Sequence, residues 1–486
     1  MLTIKTQTDC LSSIALKTRA YYDDNVEMIK KRKSRSRYFS NEIIRYLRSI
    51  IPNNKKILDL GCGFGEVLAS LKPSVGVGID ISDENIKEAT NRYATQEIKF
   101  VCGDVQNKIL LESLESQFDF IILSNVITEL HDVQAVFEAM KVVSHRRTRI
   151  IVLSYSRLWQ FPLKIAETLG VKAKNPVNNW LSADVVREML AMADLQVVRQ
   201  AGFQIFPFNL SFISRLINRY IGNLPLINEL TLMFGIVARV NDYPKRDRVT
   251  CSVVIPCRNE AGHIEQLARR MPDLGEDSEV IWIEGNSSDN TEEAIKDIIA
   301  KNPGKNWSFC KQQGRGKGDA VRHAFSKAKG DILMILDADV TVAPEDLPKF
   351  IKLLIENKAE FVNGCRLVYP MDEKSMRFLN LLGNRFFAAL FSYLLGQRVR
   401  DTLCGTKVLW REDYEEISRN RSYFGDFDPF GDFDLLFGAA RLNLKIADLP
   451  IRYGERTYGT TNISRFRDGI LLFKMSAVAA NKLRFI

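Results

Sequence analysis

Leu-Met-Ile-Leu-Asp-Ala-Asp-Val, residues 333–340, is the stretch on which the reading of this chain turns. A short apolar run predicts a buried strand. Side chains alternate with period two on an extended chain, so Asp337 and Asp339 face the same way. Two carboxylates so placed suit Mg²⁺ or Mn²⁺, hard cations that take a few carboxylate oxygens and share the rest of their shell with water and substrate phosphates. The alternative is a strand end at which two acids are merely solvated.

The sequence on either side favours the metal. TCSVVIPCRNE, residues 250–260, reads as a buried strand that breaks at Pro256 and leads into a helix beginning near Gly262. A second strand, Glu279 to Glu284, runs into GNSSDNT, a turn-forming and helix-capping stretch. QGRGKGDA, residues 313–320, is a basic loop before a helix. Strand, loop and helix alternate in the manner of a nucleotide-binding parallel sheet, which sets the fold class as α/β.

These residues resemble the family 2 glycosyltransferases, which have the nucleotide-diphospho-sugar transferase fold called GT-A. The resemblance runs from Arg248 to Ile486 and rests on VVIPCRNEAGHI (253–264), EGNSSDNT (284–291), GRGKGDAVRHAF (314–325), LDADV (336–340), RDTLCGTKVL (400–409), FGDFDLLFGAARLN (430–443) and RYGERTYGTTNISRFRDG (452–469), all in the family's order. It implies inverting transfer of a sugar from a nucleoside diphosphate donor. The leaving group develops negative charge that needs a cation, so Asp339, helped by Asp337, is expected to hold the metal. Pro256, Arg258 and Glu260 would border the base and ribose, with Glu284 and Asp289 completing that wall. Arg315 and Lys317 would counter the diphosphate unless their loop is simply solvated. Arg456 is a second candidate for that charge.

An inverting displacement also needs a general base on the acceptor hydroxyl, unless the acceptor is already a phosphate anion. Asp432, in GDFDLL, sits where many family members carry that acid, and Asp434 lies close by. Asp401, in RDTLCGT, matches the loop that faces the acceptor in polyprenyl-phosphate sugar transferases. Asp432 is the expected base and Asp401 its acceptor-side or metal-side support. A structural cap or salt bridge is the competing role for each.

The N-terminal half has its own signature, KKILDLGCGFGE at residues 55–66. A buried strand turns at glycines so that backbone approaches a ligand and the next helix N-terminus faces it. VGVGIDIS (75–82) places Asp80 at the end of a second strand, about twenty residues on, where a carboxylate binds ribose hydroxyls. CGDV (102–105) supplies Asp104, and a fourth strand, Phe118 to Ser124, ends before Asn125. This run resembles a class I S-adenosylmethionine-dependent methyltransferase, with a Rossmann-like fold, over residues 38–155 and more loosely to about 240. Its Gly-x-Gly-x-Gly spacing argues against a nicotinamide dinucleotide. The resemblance implies that Asp59, Gly61, Gly63 and Gly65 cradle the methionine part of S-adenosylmethionine, that Asp80 takes the ribose, and that Asp104 and Val105 flank the adenine. His131, in TELHD, is the candidate base, or else orients a loop.

With 486 residues the chain exceeds one core and predicts two domains. These are a methyltransferase domain at 1–240, a linker at 241–248 containing Pro244, and a glycosyltransferase domain at 249–486. The cysteines, at 10, 62, 102, 251, 257, 310, 365 and 404, stand singly without zinc spacing. That usage, and an N-terminus whose apolar residues are interrupted by Lys5, Asp9, Lys17 and Arg19, predicts a reduced cytoplasmic protein. The net charge of +9 is dispersed, which does not predict a nucleic-acid partner. Lys30 to Arg37 reads as a solvated basic helix face or a phosphate or membrane-surface contact. No window spans a bilayer. Met376 to Gly396 and Phe206 to Phe234 read as helices that pack on a core or lie in an anionic membrane surface, a peripheral contact at the inner face of the cell membrane.

The expected protein is therefore a two-headed enzyme of surface polysaccharide or glycolipid assembly. It would take a nucleoside-diphosphate sugar, a glycan or polyprenyl-phosphate acceptor, S-adenosylmethionine and Mg²⁺ or Mn²⁺. Two alternatives are an active glycosyltransferase with a ligand-gated or scaffolding N-terminal domain, and a membrane-binding assembly factor whose sites have decayed. The intact acids Asp59, Asp80, Asp337 and Asp339 argue against decay.

Overall fold

In the computed structural model of the protein the chain forms two compact units, Met1–Tyr243 with Phe485–Ile486, and Pro244–Arg484. The structure describes residues 12–485 apart from 115, 171–176, 211, 242, 244, 245, 247, 276, 370–377, 424–430, 455, 457 and 459–464; for 378–381, 432 and 465–468 it describes the backbone alone.

The first unit is built on strands β1 (Lys56–Leu60), β2 (Val75–Asp80), β3 (Ile98–Cys102), β4 (Phe118–Ser124), β5 (Ser144–Tyr155), β6 (Leu195–Phe203) and β7 (Met233–Val240). They form one sheet in the order β3-β2-β1-β4-β5-β7-β6. Strands such as Ile-Leu-Asp-Leu and Phe-Ile-Ile-Leu are apolar on both faces because apolar clusters cover the sheet from both sides. Strand order reverses beside β1, which opens a crevice at the carboxyl ends of β1 and β4.

The second unit repeats that plan with β8 (Cys251–Cys257), β9 (Glu279–Glu284), β10 (Trp307–Lys311), β11 (Ile332–Ile335), β12 (Phe361–Cys365), β13 (Lys407–Trp410) and β14 (Ile446–Pro450). The order is β10-β9-β8-β11-β13-β12-β14, with the crevice at β8 and β11. Clusters centred on Phe391, Phe433 and Phe437 on one side, and on Trp282, Phe350 and Trp410 on the other, bury both faces.

Three expectations need correction. The sheets are mixed: β7 runs antiparallel to β5 and β6, and β13 antiparallel to β11 and β12. The strand of the acid pair ends at Ile335, so Asp337 and Asp339 stand on the loop beyond it. Pro256 does not break its strand. The Thr250 and Val254 carbonyls accept from Ile332 and Leu336 on the β11 side. Pro256 faces the same side beyond the last paired residue of β11, so its missing N–H removes at most one bond at the very end of the ladder.

The 241–248 stretch is anchored at both ends. The Tyr243 hydroxyl donates to the Ser144 carbonyl at 2.6 Å, while Arg246 pairs with Glu412 at 2.9 Å and lies over the Trp410 ring. The apolar window from Met376 contains the helix Phe378–Leu395, which buries Phe387, Phe391 and Leu394. Core packing is thus the better reading of that helix. No helix among the described residues is long and apolar enough to cross a membrane.

Candidate active sites

In the second unit the chain leaves β8 at Cys257, with Arg258 exposed and Glu260 buried before the helix Ala261–Arg270. The Glu260 carboxylate lies 2.8 Å from His263 Nδ1 and accepts from the Arg456 guanidinium. Burial raises the Glu260 pKa, opposed by His263 and Arg456 and reinforced by Asp339. Arg456 also reaches Asp339, at 3.6 Å, and Asp339 accepts from the Thr341 hydroxyl at 2.7 Å. Lys317, first residue of the helix Lys317–Lys327, sits 2.7 Å from Asp337. Burial opposes the Asp337 charge, but Lys317, with Lys407 and Arg366 farther off, outweighs it and holds this carboxyl below its ordinary value. Each acid of the pair thus has its own cation, arriving from a distant part of the chain.

Gly405 explains how the 401–406 loop approaches so closely. A Cβ there would stand 2.0 Å from Asp337 Oδ2 and 2.4 Å from Lys317 Nζ. The same loop carries Asp401, whose fully buried carboxylate accepts from Arg366 Nε (2.7 Å) and Nη2 (2.9 Å), Asn384 Nδ2 (3.1 Å) and the Arg366 amide. Burial would raise its pKa, yet Arg366 draws it down to about 2. Asp401 is therefore an ionised carboxylate clamped by Arg366.

Asp432 opens the helix Asp432–Arg441. Its side chain lies outside the described residues. Its neighbour Gly431, at φ +72°, packs so closely that a Cβ would meet Gly318 Cα at 2.5 Å, which sets the Asp432 backbone beside Lys317. Asp434 is turned to Arg421, at 2.9 Å.

The remaining predicted residues divide. Pro256 and Glu260 border the crevice, whereas Arg315 is exposed. Glu284 is buried and accepts from the Ser287 amide, but its Oε2 has no hydrogen-bond donor. Asp289 braces local turns through Thr291 N–H at 3.1 Å and Ala261 N–H at 3.4 Å. Among the described residues no three His, Cys, Asp or Glu side chains converge on a metal position.

In the first unit Gly61, Gly63 and Gly65 all adopt left-handed conformations, at φ +78°, +53° and +77°, and turn the chain tightly after β1. Cβ atoms at Gly61 and Gly65 would collide with Val126 and Phe100. The Gly63 N–H donates to Asp80 Oδ2 at 2.8 Å, and the other Asp80 oxygen accepts from Ser82 N–H at 3.0 Å and Asn85 Nδ2 at 3.1 Å. Burial raises the Asp80 pKa despite these donors. Asp59 is buried to 1% exposure and its Oδ1 has no partner. Burial, with Asp80 nearby, raises its pKa to about 7.

Asp104 accepts from Gln106 N–H at 2.9 Å, Gln106 Oε1 accepts from Asp132 N–H at 2.7 Å, and Val105 is buried. That chain of bonds ties the Asp104 loop to the loop of His131, which is exposed. The N-terminal helices reach the same end of the sheet. Asp23 accepts from the Ser82 hydroxyl at 2.6 Å, the Tyr22 hydroxyl donates to Glu129 at 2.8 Å, and Lys33 lies 4.5 Å from the Phe64 ring centroid, above the glycine loop.

A model of glycosyl transferase family 2 matches residues 252–418, and a model of a methyltransferase domain matches residues 51–196. Glycosyltransferase AglJ of Haloferax volcanii is 30% identical over 223 residues, 46% of this chain and 69% of that protein. The dolichyl-phosphate hexose transferase of the same organism is 32% identical over 197 residues, 40% of this chain and 78% of that protein.

The chain belongs to glycosyl transferase family 2.

It also carries a methyltransferase domain, and its two α/β units have the GT-A-like and methyltransferase-like folds. Other curated relatives are matched over 51% and 35% of their own length. Among solved structures, the chain is similar to a SAM-dependent methyltransferase, possible histamine N-methyltransferase, from Thermotoga maritima, with 14% identity, 46% of this chain and 99% of that chain covered, and a TM-score of 0.35.

In this family member the residues that sequence reasoning missed are partners rather than motif acids. Arg366 holds Asp401 across 35 positions of sequence, and His263 supports Glu260. Tyr458 packs edge-on to His263 and touches Asp289 at 3.4 Å. Lys407 is fully buried and bonds the Cys404 carbonyl beneath the acid pair. Lys33 belongs to the basic run read as a solvated face or an anion contact. His263, Lys407 and Tyr458 lay inside the motifs VVIPCRNEAGHI, RDTLCGTK and RYGERTYG and Lys33 inside the basic run, whereas Arg366 stood outside every quoted motif.

Proposed function

We propose that residues 249–486 transfer a sugar from a nucleoside diphosphate donor, with inversion, to a polyprenyl-phosphate or glycan acceptor at the inner face of the membrane. Residues 1–240 transfer a methyl group from S-adenosylmethionine within the same surface polysaccharide or glycolipid assembly. The observation that carries this reading is the pairing of Asp337 with Lys317 and of Asp339 with Arg456 at the mouth of one crevice. Those cations suit a diphosphate, and the relative named as a dolichyl-phosphate hexose transferase supports the acceptor class.

The donor set fits a hard divalent cation: two carboxylates one residue apart, with Asp337 kept ionised, and the rest of the shell left to phosphate and water. Such an ion, held by Asp337 and Asp339, supplies charge neutralisation to the departing diphosphate. Lys317 and Arg456 swing from their carboxylates to the phosphate oxygens, and Pro256 and Glu260 wall the nucleoside. Asp432 accepts the acceptor proton where that acceptor is a hydroxyl, and a phosphate acceptor dispenses with this step.

The N-terminal site fits S-adenosylmethionine. The unpartnered, buried Asp59 Oδ1 suits its cationic amine, the glycine turn admits its backbone, and Asp80 suits its ribose. The cofactor supplies an electrophilic methyl group, so the chain's own work is alignment. Lys33 above the glycine loop favours a second reading, an N-terminal domain that binds ligand or scaffolds without turnover.

Thermal stabilisation by UDP-, GDP- and dTDP-sugars with Mn²⁺, and separately by S-adenosylhomocysteine, tests both sites. A ligand at 100-fold its dissociation constant adds about 2.7 kcal/mol to the domain that binds it. Shifts with one sugar nucleotide and with S-adenosylhomocysteine are expected. Silence from S-adenosylhomocysteine favours the second reading, and silence from every sugar nucleotide overturns the donor assignment.

A further inference from the structure

In register, Tyr155 of β5, Met233 of β7 and Phe203 of β6 lie side by side at one corner of the first unit's sheet. Two excursions leave that corner: 156–169, after β5, and 204–232, between β6 and β7. Trp159 Nε1 donates to the Leu230 carbonyl at 2.9 Å and Ser156 N–H to the Leu232 carbonyl at 2.8 Å, so the two are stitched into one surface. Because β5 is parallel to β4 and β4 to β1, this corner stands at the carboxyl end of the sheet, the same end as the glycine loop.

Burial here is reversed. Between Gln204 and Thr231 the buried side chains among the described residues are polar: Gln204, Ser214, Asn218, Asn228 and Thr231. Asn218 bonds the Ile205 and Phe206 amides, and Asn228 bonds both backbone groups of Gly202. The apolar side chains point outward, with Phe212 68% and Leu226 84% exposed. The helix Gln160–Thr168 buries none of its residues and exposes Phe161 to 74%. A polar interior and an apolar exterior are the arrangement of a segment whose surroundings are less polar than water.

Charge selects the surroundings. Over the two excursions four cations, Arg157, Lys164, Arg215 and Arg219, stand against two acids, Glu167 and Glu229. Arg157 and Lys164 stand exposed on the first excursion. We propose that this corner of the methyltransferase half docks on an anionic lipid bilayer, with the two excursions seated in its interface and the basic residues at headgroup level. The crevice at the same sheet end then meets a methyl acceptor presented from the membrane. The inference rests on the membrane-contact part of the reading above and not on its chemistry, so vesicle binding and donor binding succeed or fail separately.

The full chain is mixed with phosphatidylcholine vesicles and with vesicles that also contain phosphatidylglycerol, and the bound fraction is measured by co-sedimentation. Binding to the anionic vesicles, weakened by salt, is expected. Phe161→Glu, Phe212→Glu and Leu226→Glu together lower it by about tenfold or more, since burial of even one such side chain is worth that factor. Arg215→Glu removes the preference for anionic lipid. Far-ultraviolet circular dichroism and S-adenosylhomocysteine stabilisation unchanged from the parent show that the variants fold. Parent-like vesicle binding by the triple variant overturns the proposal, as does absence of binding by the parent chain. A concentration-dependent dimer that the triple variant dissolves, without vesicle binding, assigns the surface to a second copy instead.

Discussion

Both units gather carboxylates at the carboxyl ends of their central strands, and they treat them in opposite ways. Asp337 and Asp339 are met by Lys317 and Arg456, and Asp337 is held below its ordinary pKa. Asp59 and Asp80 are buried with backbone and amide donors at most, and burial raises both although Lys33 lies near enough to oppose it. A site that already balances its acids with cations is suited to an anionic ligand accompanied by a metal, because the cations are free to change partners. A site in which burial outweighs a nearby cation, and whose buried carboxylate keeps an oxygen without a hydrogen bond, is suited to a ligand that brings positive charge itself.

The sharpest break of this comparison is at the acid pair. Asp339→Asn is expected to lower metal-dependent release of nucleoside diphosphate by at least ~10³-fold, since electrostatic stabilisation of the leaving group is lost. S-adenosylhomocysteine affinity should stay unchanged, and a parallel loss there would show that the units are not independent. Asp401→Asn should act on folding instead: it strands the Arg366 guanidinium in a buried position, at a cost of about 3–5 kcal/mol read by chemical denaturation. A fully stable variant would refute the clamp.

Asp432→Asn should slow transfer to a hydroxyl acceptor by ~10²-fold and leave transfer to a phosphate acceptor nearly untouched. Equal slowing of both would remove the general-base role.

The smallest effect concerns pH. Asp59 titrates at about 7 in the folded chain and an unfolded Asp near about 3.9. The folded state therefore holds the extra proton between these values, and stability falls as pH rises through that window. Asp59→Asn should raise the Tm most at about pH 8, by roughly half as much at about pH 5.5, and leave it nearly unchanged below about pH 3.5. S-adenosylmethionine affinity in the parent chain should rise by up to about tenfold per unit below pH 7 and level off above it. A flat affinity profile would separate Asp59 from the cofactor's amine.

Much of this was legible in the residues. Phe118–Ser124 and Glu279–Glu284 are strands over the whole length that their apolar runs suggested. Asp80 stands at a strand end with its carboxylate on the glycine loop, as period and spacing required. Pro256 was misread because a proline's tolerance depends on which neighbour its missing N–H faces, and that is a property of the sheet. The antiparallel β7 and β13 were invisible because local pattern carries no strand direction. Arg366, Arg456 and Lys33 were seen as charges or not at all, because an ion pair or a cation–ring contact formed across tens or hundreds of residues leaves no periodic trace.

Gly405 gives the glycosyltransferase half an unusual experimental handle. The atoms that a Cβ there would strike, Asp337 Oδ2 and Cγ and Lys317 Nζ, belong to side chains and not to backbone. Alanine at this position keeps every ionisable group of the crevice and adds a single methyl, which the polypeptide absorbs by displacing the Asp337 and Lys317 side chains. Such a variant is a genetically encoded wedge: it separates the contribution of room from that of charge, which no substitution of the acids themselves can do.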